Sequence, residues 1–263
     1  MLKFRLDKKD FTYFRTLHSL AYHHLNLNPV DVMSDLNYRE VSDWLQIKIN
    51  NPNKSINELG ISTPKDVYLT LIDQSKIQGV SLQNQFARSG MHIDGGFDRL
   101  NYIDRGIRQY KDKHKLFDYT DMILEFIKMD NAPRLDVVIV DEAQDLSLIQ
   151  WLMVEQLIRK ADRAYIAGDD DQAIFNWAGA DMGRLGKLQC KREILDKSYR
   201  IPGKVHNIAQ KIITPIVDRV PKIWQPREEA GDVQYHRTRL NPHMNLTDGT
   251  WLILARTNYL LDQ

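Results

Sequence analysis

The sequence feature that most constrains the fold is the run from Leu135 to Asp145, in which a short apolar segment leads directly into acidic residues. The β-branched run 137–140 is typical of a strand that is buried on both faces of a parallel sheet. Ligands of open α/β sheets bind beyond the carboxyl ends of the strands, where Asp141 and Glu142 would lie. One carboxylate could hold a hydrated Mg²⁺ while the other orients or deprotonates a water molecule. A solvated acidic turn after a core strand would give the same pattern, so this stretch alone leaves both interpretations open.

The composition is that of an ordinary globular protein. Hydrophobic residues make up 43% of the 263 residues and charged residues 27%, and the formal net charge is only +1. Any surface that binds nucleic acid must therefore consist of a few local basic and aromatic residues. The single cysteine, Cys190, excludes an internal disulfide, and no apolar run approaches the roughly 20 residues that span a bilayer. We expect a cytoplasmic protein with no membrane partner.

The hydrophobic pattern changes twice along the chain. Residues 11–25 pass from a β-rich start to helical spacing, and Thr16 and His18 lie at the junction, where they could meet a phosphate. A helix cap beside a core-edge histidine is the simpler interpretation of that junction. Residues 26–115 show helical patterns without strands, whereas strand–loop–helix units follow from residue 116. Such units in series predict a parallel sheet covered by helices.

Polar clusters follow three predicted strands, at 135–140, 163–167 and 192–195. In chain order these clusters are Asp141, Glu142 and Gln144, then Asp169 to Gln172, then Tyr199 and Arg200. An acid that activates water, a glutamine that senses a phosphate and an arginine that neutralises charge are parts that phosphoryl transfer needs.

Two aromatic residues, Phe175 and Trp177, follow Gln172 closely. Their spacing places both on one side of an extended chain, which suits the stacking of nucleobases. Two core side chains would show the same spacing, so the pair by itself does not distinguish these alternatives.

Together these residues resemble the superfamily 1 DNA helicases of the UvrD/Rep/PcrA type. Residues 140–145 are similar to the acidic motif of that family, and residues 168–180 are similar to its motif III. Residues 195–202 resemble motif IV, residues 16–19 resemble motif Ib, and residues 254–258 resemble a strand and loop of the second motor domain. The resemblance implies an α/β fold in which a RecA-like parallel-sheet motor domain carries a helical insertion and precedes the start of a second RecA-like domain.

The resemblance also implies domain boundaries. Residues 1–25 and 116–190 would form part of the first motor domain, residues 26–115 would form the helical insertion, and residues 191–263 would begin the second motor domain.

Roles in ATP hydrolysis follow from the resemblance, with ATP and Mg²⁺ as cofactors. Asp141 would coordinate Mg²⁺, Glu142 would be the general base, Gln172 would contact the γ-phosphate and Arg200 would be the arginine finger. Three other residues would complete the nucleotide site: Tyr199 by stacking on adenine, Gln144 by coupling the site to DNA, and Asp169.

The implied partner is single-stranded or partly duplex DNA. Thr16 and His18 would contact its backbone, and Phe175 and Trp177 would stack on its bases, an arrangement that favours 3′→5′ translocation. A repair or replication role in the cytoplasm of a bacterial or virus-infected cell would follow. Two departures affect single contacts, since Ala178 stands where relatives often carry arginine and Ser198 where they often carry asparagine.

The larger departure is that the 263 residues contain no P-loop. Gly186-Lys187 and Gly203-Lys204 lack the first glycine and the final Ser or Thr of G-x-x-x-x-G-K-[ST]. We therefore expect an internal helicase fragment, without the P-loop and the C-terminal motifs, that is inactive alone and self-associates through surfaces exposed by truncation. The alternative is a non-hydrolysing module that binds single-stranded DNA or a partner.

Overall fold

The computed structural model describes residues 13–49, 66–175, 179–217, 219–235, 247 and 249–254. It divides into two compact units, one within residues 1–169 and 173–182 and the other within residues 170–172 and 183–263. Trp177, Ala178 and residues 255–258, for which the sequence predicts DNA contacts or a second-domain motif, lie outside the described residues.

The first unit is a run of helices followed by an α/β segment. Its helices are α1 (Leu17–His24), α2 (Asp35–Leu45), α3 (Val67–Ile77), α4 (Leu82–Ser89), α5 (Gly96–His114), α6 (Tyr119–Met129) and α7 (Leu148–Arg159). Its strands are β1 (Leu135–Val140) and β2 (Ala161–Ile166), so that β1, α7 and β2 form one strand–helix–strand unit. Two more helices follow, α8 (Met182–Gly186) and α9 (Gly203–Ile213), and α9 belongs to the second unit.

Helix starts follow the local signals that the sequence carries. The Asp118 carboxylate accepts the N–H of Asp121 at 2.8 Å and caps α6. The Ser147 hydroxyl accepts the N–H of Gln150 in the same way at the start of α7. Pro202 precedes α9, where its missing N–H costs no hydrogen bond.

The two strands pair in parallel, with Val138 opposite Ala164 and Val140 opposite Ile166. The predicted α/β class is therefore confirmed at the level of a two-stranded parallel sheet with packed helices. The expectation that β1 is buried on both faces is wrong for this chain, because Val138 is buried whereas Ile139 is 74% exposed. The described helices that share a core with β1 pack on the side of Val138, which leaves the side of Ile139 open.

The predicted third strand at 192–195 is also wrong. Residues 191–196 have no regular secondary structure, and Leu195 is 90% exposed. A strand needs a partner along its length, and among the described residues the backbone near this segment pairs at a single bridge, between Lys197 and Gln225.

Two hydrophobic clusters form the core of the first unit. The helical cluster joins α2, α3 and α5, and its fully buried members include Val41, Leu71, Leu100 and Ile103. The sheet cluster joins α1, α6, β1 and α7, and its fully buried members include Ala21, Ile123, Phe126 and Met153. Each fully buried Val, Leu, Ile, Phe or Met side chain contributes about 1.5–3 kcal/mol by leaving water.

A network of four charged residues joins helices of the two clusters. Lys76 on α3 lies 3.0 Å from Asp118 and 2.9 Å from Asp121 at the start of α6. Lys111 on α5 lies 2.7 Å from Asp118 and also pairs with Asp121. Burial alone would raise the pKa of Asp118, but the two ammonium groups outweigh burial and hold the pKa well below its ordinary value. The charges compensate one another, so removing a single member would leave a buried charge without its counterion.

Asp73 lies beside this network and carries the opposite shift. Burial and the nearby negative charge of Asp118 raise the pKa of Asp73 to about 6. The folded chain therefore holds this proton more tightly than the unfolded chain does. The contribution of Asp73 to stability is fully present below the unfolded pKa of about 4 and is lost as the pH rises through about 6.

We predict that Asp73→Asn stabilises the chain at about pH 8 by about 1–3 kcal/mol and that this gain disappears near about pH 4. The amide removes the buried charge while it keeps the size of the side chain. Urea denaturation of both proteins at the two pH values measures the difference. Asp112→Asn, on the exposed side of α5, is the matched control and should change little. A variant that is less stable than wild type at the higher pH would contradict the assignment.

Candidate functional site

The acidic residues lie at the carboxyl edge of the parallel sheet, as the sequence predicts. β1 ends at Val140, and its carbonyl accepts the N–H of Ala167 at 2.7 Å just past the end of β2. The Ala167 carbonyl in turn accepts the N–H of Ala143 at 2.9 Å. Asp141 and Glu142 lie between these two bonds and are exposed to solvent. Their carboxylates therefore face the region where α/β sheets bind ligands.

The backbone of this turn is strained at one residue. Glu142 has φ of +52°, in the left-handed region that side chains other than glycine rarely adopt. The Asp141 carboxylate accepts the Glu142 N–H at 3.0 Å and helps to hold this conformation. A short 3₁₀ turn, Ala143–Asp145, then buries Ala143 and Gln144. Strain of this kind persists only where the surrounding structure holds the residue in place, and it is common at functional sites.

Gln144 connects the acidic turn with the loop after β2. Its side chain is 2% exposed, and its amide group donates to the Glu142 carboxylate at 2.7 Å. Its carbonyl oxygen accepts the backbone N–H of Asp169 at 3.0 Å. One buried amide thus fixes both the orientation of Glu142 and the position of the next loop.

A site built around the Asp141 carboxylate suits Mg²⁺ better than it suits a metal ion that takes all of its ligands from protein side chains. Among the described residues no group of three or more His, Cys, Asp or Glu side chains could hold a metal ion. Mg²⁺ keeps several waters and takes one or two carboxylates together with the oxygens of a phosphate. A single exposed carboxylate at a strand end fits that preference.

The first unit contains three of the residues that are predicted to bind DNA, Thr16, His18 and Phe175. His18 and Phe175 lie around one cleft. The Thr16 hydroxyl accepts the N–H of Ser19 at 3.2 Å and caps α1, which is the simpler of its two interpretations. Burial lowers the pKa of His18, so its ring is neutral at pH 7, and its ring stands edge-on to that of Tyr119. Phe175 is 41% exposed and is therefore not fully buried in a hydrophobic core.

The cleft has a volume of about 150 Å³. Its lining includes His18 and Phe175 together with Asp145, Ser147 and Gln150. These three polar residues are missing from the sequence predictions, although Asp145 ends the acidic motif and Ser147 carries a helix-cap signal. Burial and the charge of Glu142 raise the pKa of Asp145.

Gln172, Tyr199 and Arg200 belong to the second unit, whereas Asp141, Glu142, Gln144 and Asp169 belong to the first. The Ser198 hydroxyl accepts the N–H groups of Arg200 at 3.3 Å and Ile201 at 3.1 Å, so the serine side chain supports this turn. Tyr199 is 82% exposed, and the Lys197 ammonium lies 5.5 Å from the centre of its ring. An exposed ring face beside a cation is suited to stacking on a base.

Helices that could cross a membrane are not found in the described ranges, since none is both long and apolar enough.

Comparison with known proteins identifies the family of the chain. Residues 4–192 match the UvrD/REP helicase N-terminal domain. The chain is 29% identical over 131 residues to the ATP-dependent DNA helicase PcrA of Bacillus subtilis, an alignment that covers 47% of this chain and 17% of that protein. It is 32% identical over 142 residues to DNA helicase II of Haemophilus influenzae, covering 51% of this chain and 18% of that protein. The aligned region thus spans less than a fifth of either relative.

The family match covers most of the chain and includes the acidic motif, the loop after β2 and the Thr16 junction. The predicted resemblance is confirmed, and the chain belongs to the UvrD/REP helicase family through its N-terminal domain.

Proposed function

We propose that this chain carries part of the ATP-hydrolysis site and part of the DNA-binding surface of an ATP-dependent DNA helicase with 3′→5′ polarity. The observation that carries the proposal is the buried side chain of Gln144, which joins the Glu142 carboxylate to the backbone of Asp169. A movement of the acid that activates water is thereby transmitted to the loop that leads to Gln172 and Phe175. Coupling between hydrolysis and DNA movement requires a connection of this kind.

The residues of the acidic turn divide the chemistry between them. Asp141 holds Mg²⁺, which when bound neutralises charge on the phosphate oxygens. Glu142 accepts a proton from the attacking water, and the amide of Gln144 keeps its carboxylate aimed. Gln172 contacts the γ-phosphate, Arg200 stabilises the charge of the transition state, and Tyr199 stacks on the adenine.

We assign the path of the DNA to the cleft of the first unit. Phe175 stacks on bases together with Trp177, while Thr16 and His18 contact the backbone of the strand. A neutral His18 ring suits a hydrogen bond to phosphate or sugar better than an ion pair. Single-stranded DNA, alone or at a junction with duplex, is the partner that we assign to this surface. The relatives named above come from bacteria, and we assign the work of this chain to the bacterial cytoplasm.

The two hydrophobic clusters support the domain boundaries that the sequence predicts. The buried members of the helical cluster lie within residues 26–115 except for Leu116, and those of the sheet cluster lie in α1 and from residue 116 onward. We therefore propose a helical insertion in the first motor domain, and a second motor domain that begins near residue 191.

A second candidate function is a chain that binds DNA or a partner without hydrolysing ATP. The open face of the sheet favours it, because Val137, Ile139 and Tyr165 are exposed side by side. Apolar surface on a parallel sheet is normally covered, so this face is where we propose self-association.

Glu142→Gln should lower the rate of ATP hydrolysis at least about 100-fold in a protein that combines these residues with a P-loop, while nucleotide binding stays nearly unchanged. The amide keeps the size of the side chain but no longer accepts the proton. Turnover and nucleotide affinity are measured separately. Glu125→Gln, which breaks a surface pair with Lys128 on α6, is the control. Turnover within a few-fold of wild type would remove Glu142 from its role.

Phe175→Ala should weaken binding of an oligo-dT strand by about 1–3 kcal/mol with little dependence on sequence, and Trp177→Ala should do the same. Fluorescence anisotropy on the chain measures the affinity, and circular dichroism confirms that each variant folds. Trp44→Ala removes an exposed ring from α2 and serves as the control. Equal affinities of all three variants would count against a stacking role.

The 263 residues by themselves should show no saturable ATP binding by calorimetry up to low millimolar concentrations. They contain no stretch that supplies a cradle of backbone N–H groups, a lysine on the β- and γ-phosphates and a hydroxyl on Mg²⁺. Asp141 and Glu142 without that lysine repel a polyanion. Mg²⁺-dependent hydrolysis that Glu142→Gln abolishes would reveal a phosphate cradle within this chain.

A further inference from the structure

The loop after β2 is fastened by a cluster of charged residues that the proposed chemistry does not use. We call this cluster, formed by Asp170, Asp171, Arg219 and Lys222, the loop latch. Arg219 donates to both oxygens of Asp171, at 2.7 Å from Nε and 2.6 Å from its terminal nitrogen. Lys222 lies 3.2 Å from Asp171 and also pairs with Asp170, whose carboxylate accepts the N–H of Val220 at 2.6 Å. All four residues belong to the second unit.

The latch is more than a surface ion pair. The side chains of Asp171 and Arg219 are 8% and 15% exposed, so water screens their attraction only weakly. The two parallel hydrogen bonds of Arg219 also fix the direction of the Asp171 carboxylate. The guanidinium holds the pKa of Asp171 below its ordinary value although burial opposes this. An isolated exposed pair contributes little, whereas a buried, bidentate pair resists a change in geometry.

The position of the latch in the chain gives it a consequence. Asp170–Gln172 forms a single 3₁₀ turn, so Gln172 directly follows the latched Asp171. The residue before the turn, Asp169, is bound through its N–H to Gln144. Phe175 comes three residues after Gln172. Only a few residues of backbone therefore separate Gln172 and Phe175 from the latch.

We propose that Asp171 and Arg219 are positioning residues that hold the loop 170–175, and with it Gln172 and Phe175, in the conformation that acts on nucleotide and DNA. This inference rests on the proposed function for the roles of Gln172 and Phe175. The segment 219–222 after α9 thus holds the turn Asp170–Gln172, which belongs to the same unit.

Hydrogen exchange tests the latch without reference to DNA or ATP. In the full chain, Asp171→Asn and Arg219→Gln should each raise amide exchange in peptides covering 170–175 at least about tenfold, and the double variant should add little further. Lys204→Gln is the control, because it breaks a pair with Asp232 in the same unit where both side chains are more than half exposed. If Arg219→Gln fails to fold, Arg219→Lys takes its place. This variant keeps the positive charge but loses the two parallel hydrogen bonds of the guanidinium, and it should give a smaller increase in exchange.

The sign of the change in DNA affinity provides the second test. Removing a negative charge tightens DNA binding when only electrostatics acts, and Asp232→Asn should therefore tighten it or leave it unchanged. Asp171→Asn removes the same charge, yet it should weaken binding of oligo-dT about threefold or more because Phe175 loses its position.

Unchanged exchange in residues 170–175, or tighter DNA binding by Asp171→Asn that matches Asp232→Asn, would overturn the positioning role. A wild-type chain that does not bind oligo-dT, or a Phe175→Ala variant that binds as well as wild type, would instead contradict the proposed function. Hydrogen exchange alone then decides whether the latch holds the loop.

Discussion

The parallel pairing of β1 with β2 is the constraint on which the site depends. Because both strands run in the same direction, they end at the same edge, and the segments that follow them meet there. The hydrogen bonds from Val140 to Ala167 and on to Ala143 continue this pairing past the ends of the strands. Gln144 can reach from the acidic turn to the backbone of Asp169 only because that edge brings the two loops together. An antiparallel partner would have sent one loop to the opposite end of the sheet.

The two hydrophobic clusters of the first unit are also joined by charge. Lys76 and Lys111 come from helices of the helical cluster, and Asp118 and Asp121 lie at the start of α6, which packs in the sheet cluster. Apolar contacts tolerate sliding, whereas four charges with little water around them have few acceptable arrangements. The network therefore fixes how α3 and α5 meet α6 while each cluster supplies its own burial energy.

Local signals in the sequence predict much of this architecture. Asp118 and Pro202 mark helix starts, the β-branched run 137–140 marks β1, and the acidic motif marks the edge of the sheet. These features depend on residues within a turn or two of one another. The failed predictions depend on partners that are distant in the sequence. Burial of Ile139 requires a layer on the far side of the sheet, and a strand at 192–195 requires a neighbour to pair with. The ion pairs of Lys76 and of the loop latch, which the sequence does not predict, join residues more than 40 positions apart.

The left-handed backbone at Glu142 sets the stability of the fold against the proposed catalytic role of this residue. Glycine would adopt this conformation without strain, and asparagine adopts it more readily than glutamate does. A selection that rewards folding alone would therefore replace Glu142, and its most stable products would carry an intact sheet and an intact Gln144 but would lack the carboxylate that we propose as the acceptor of the proton from water. Design methods that score each residue by its fit to the backbone have the same bias at this position, so the glutamate there has to be specified by chemistry.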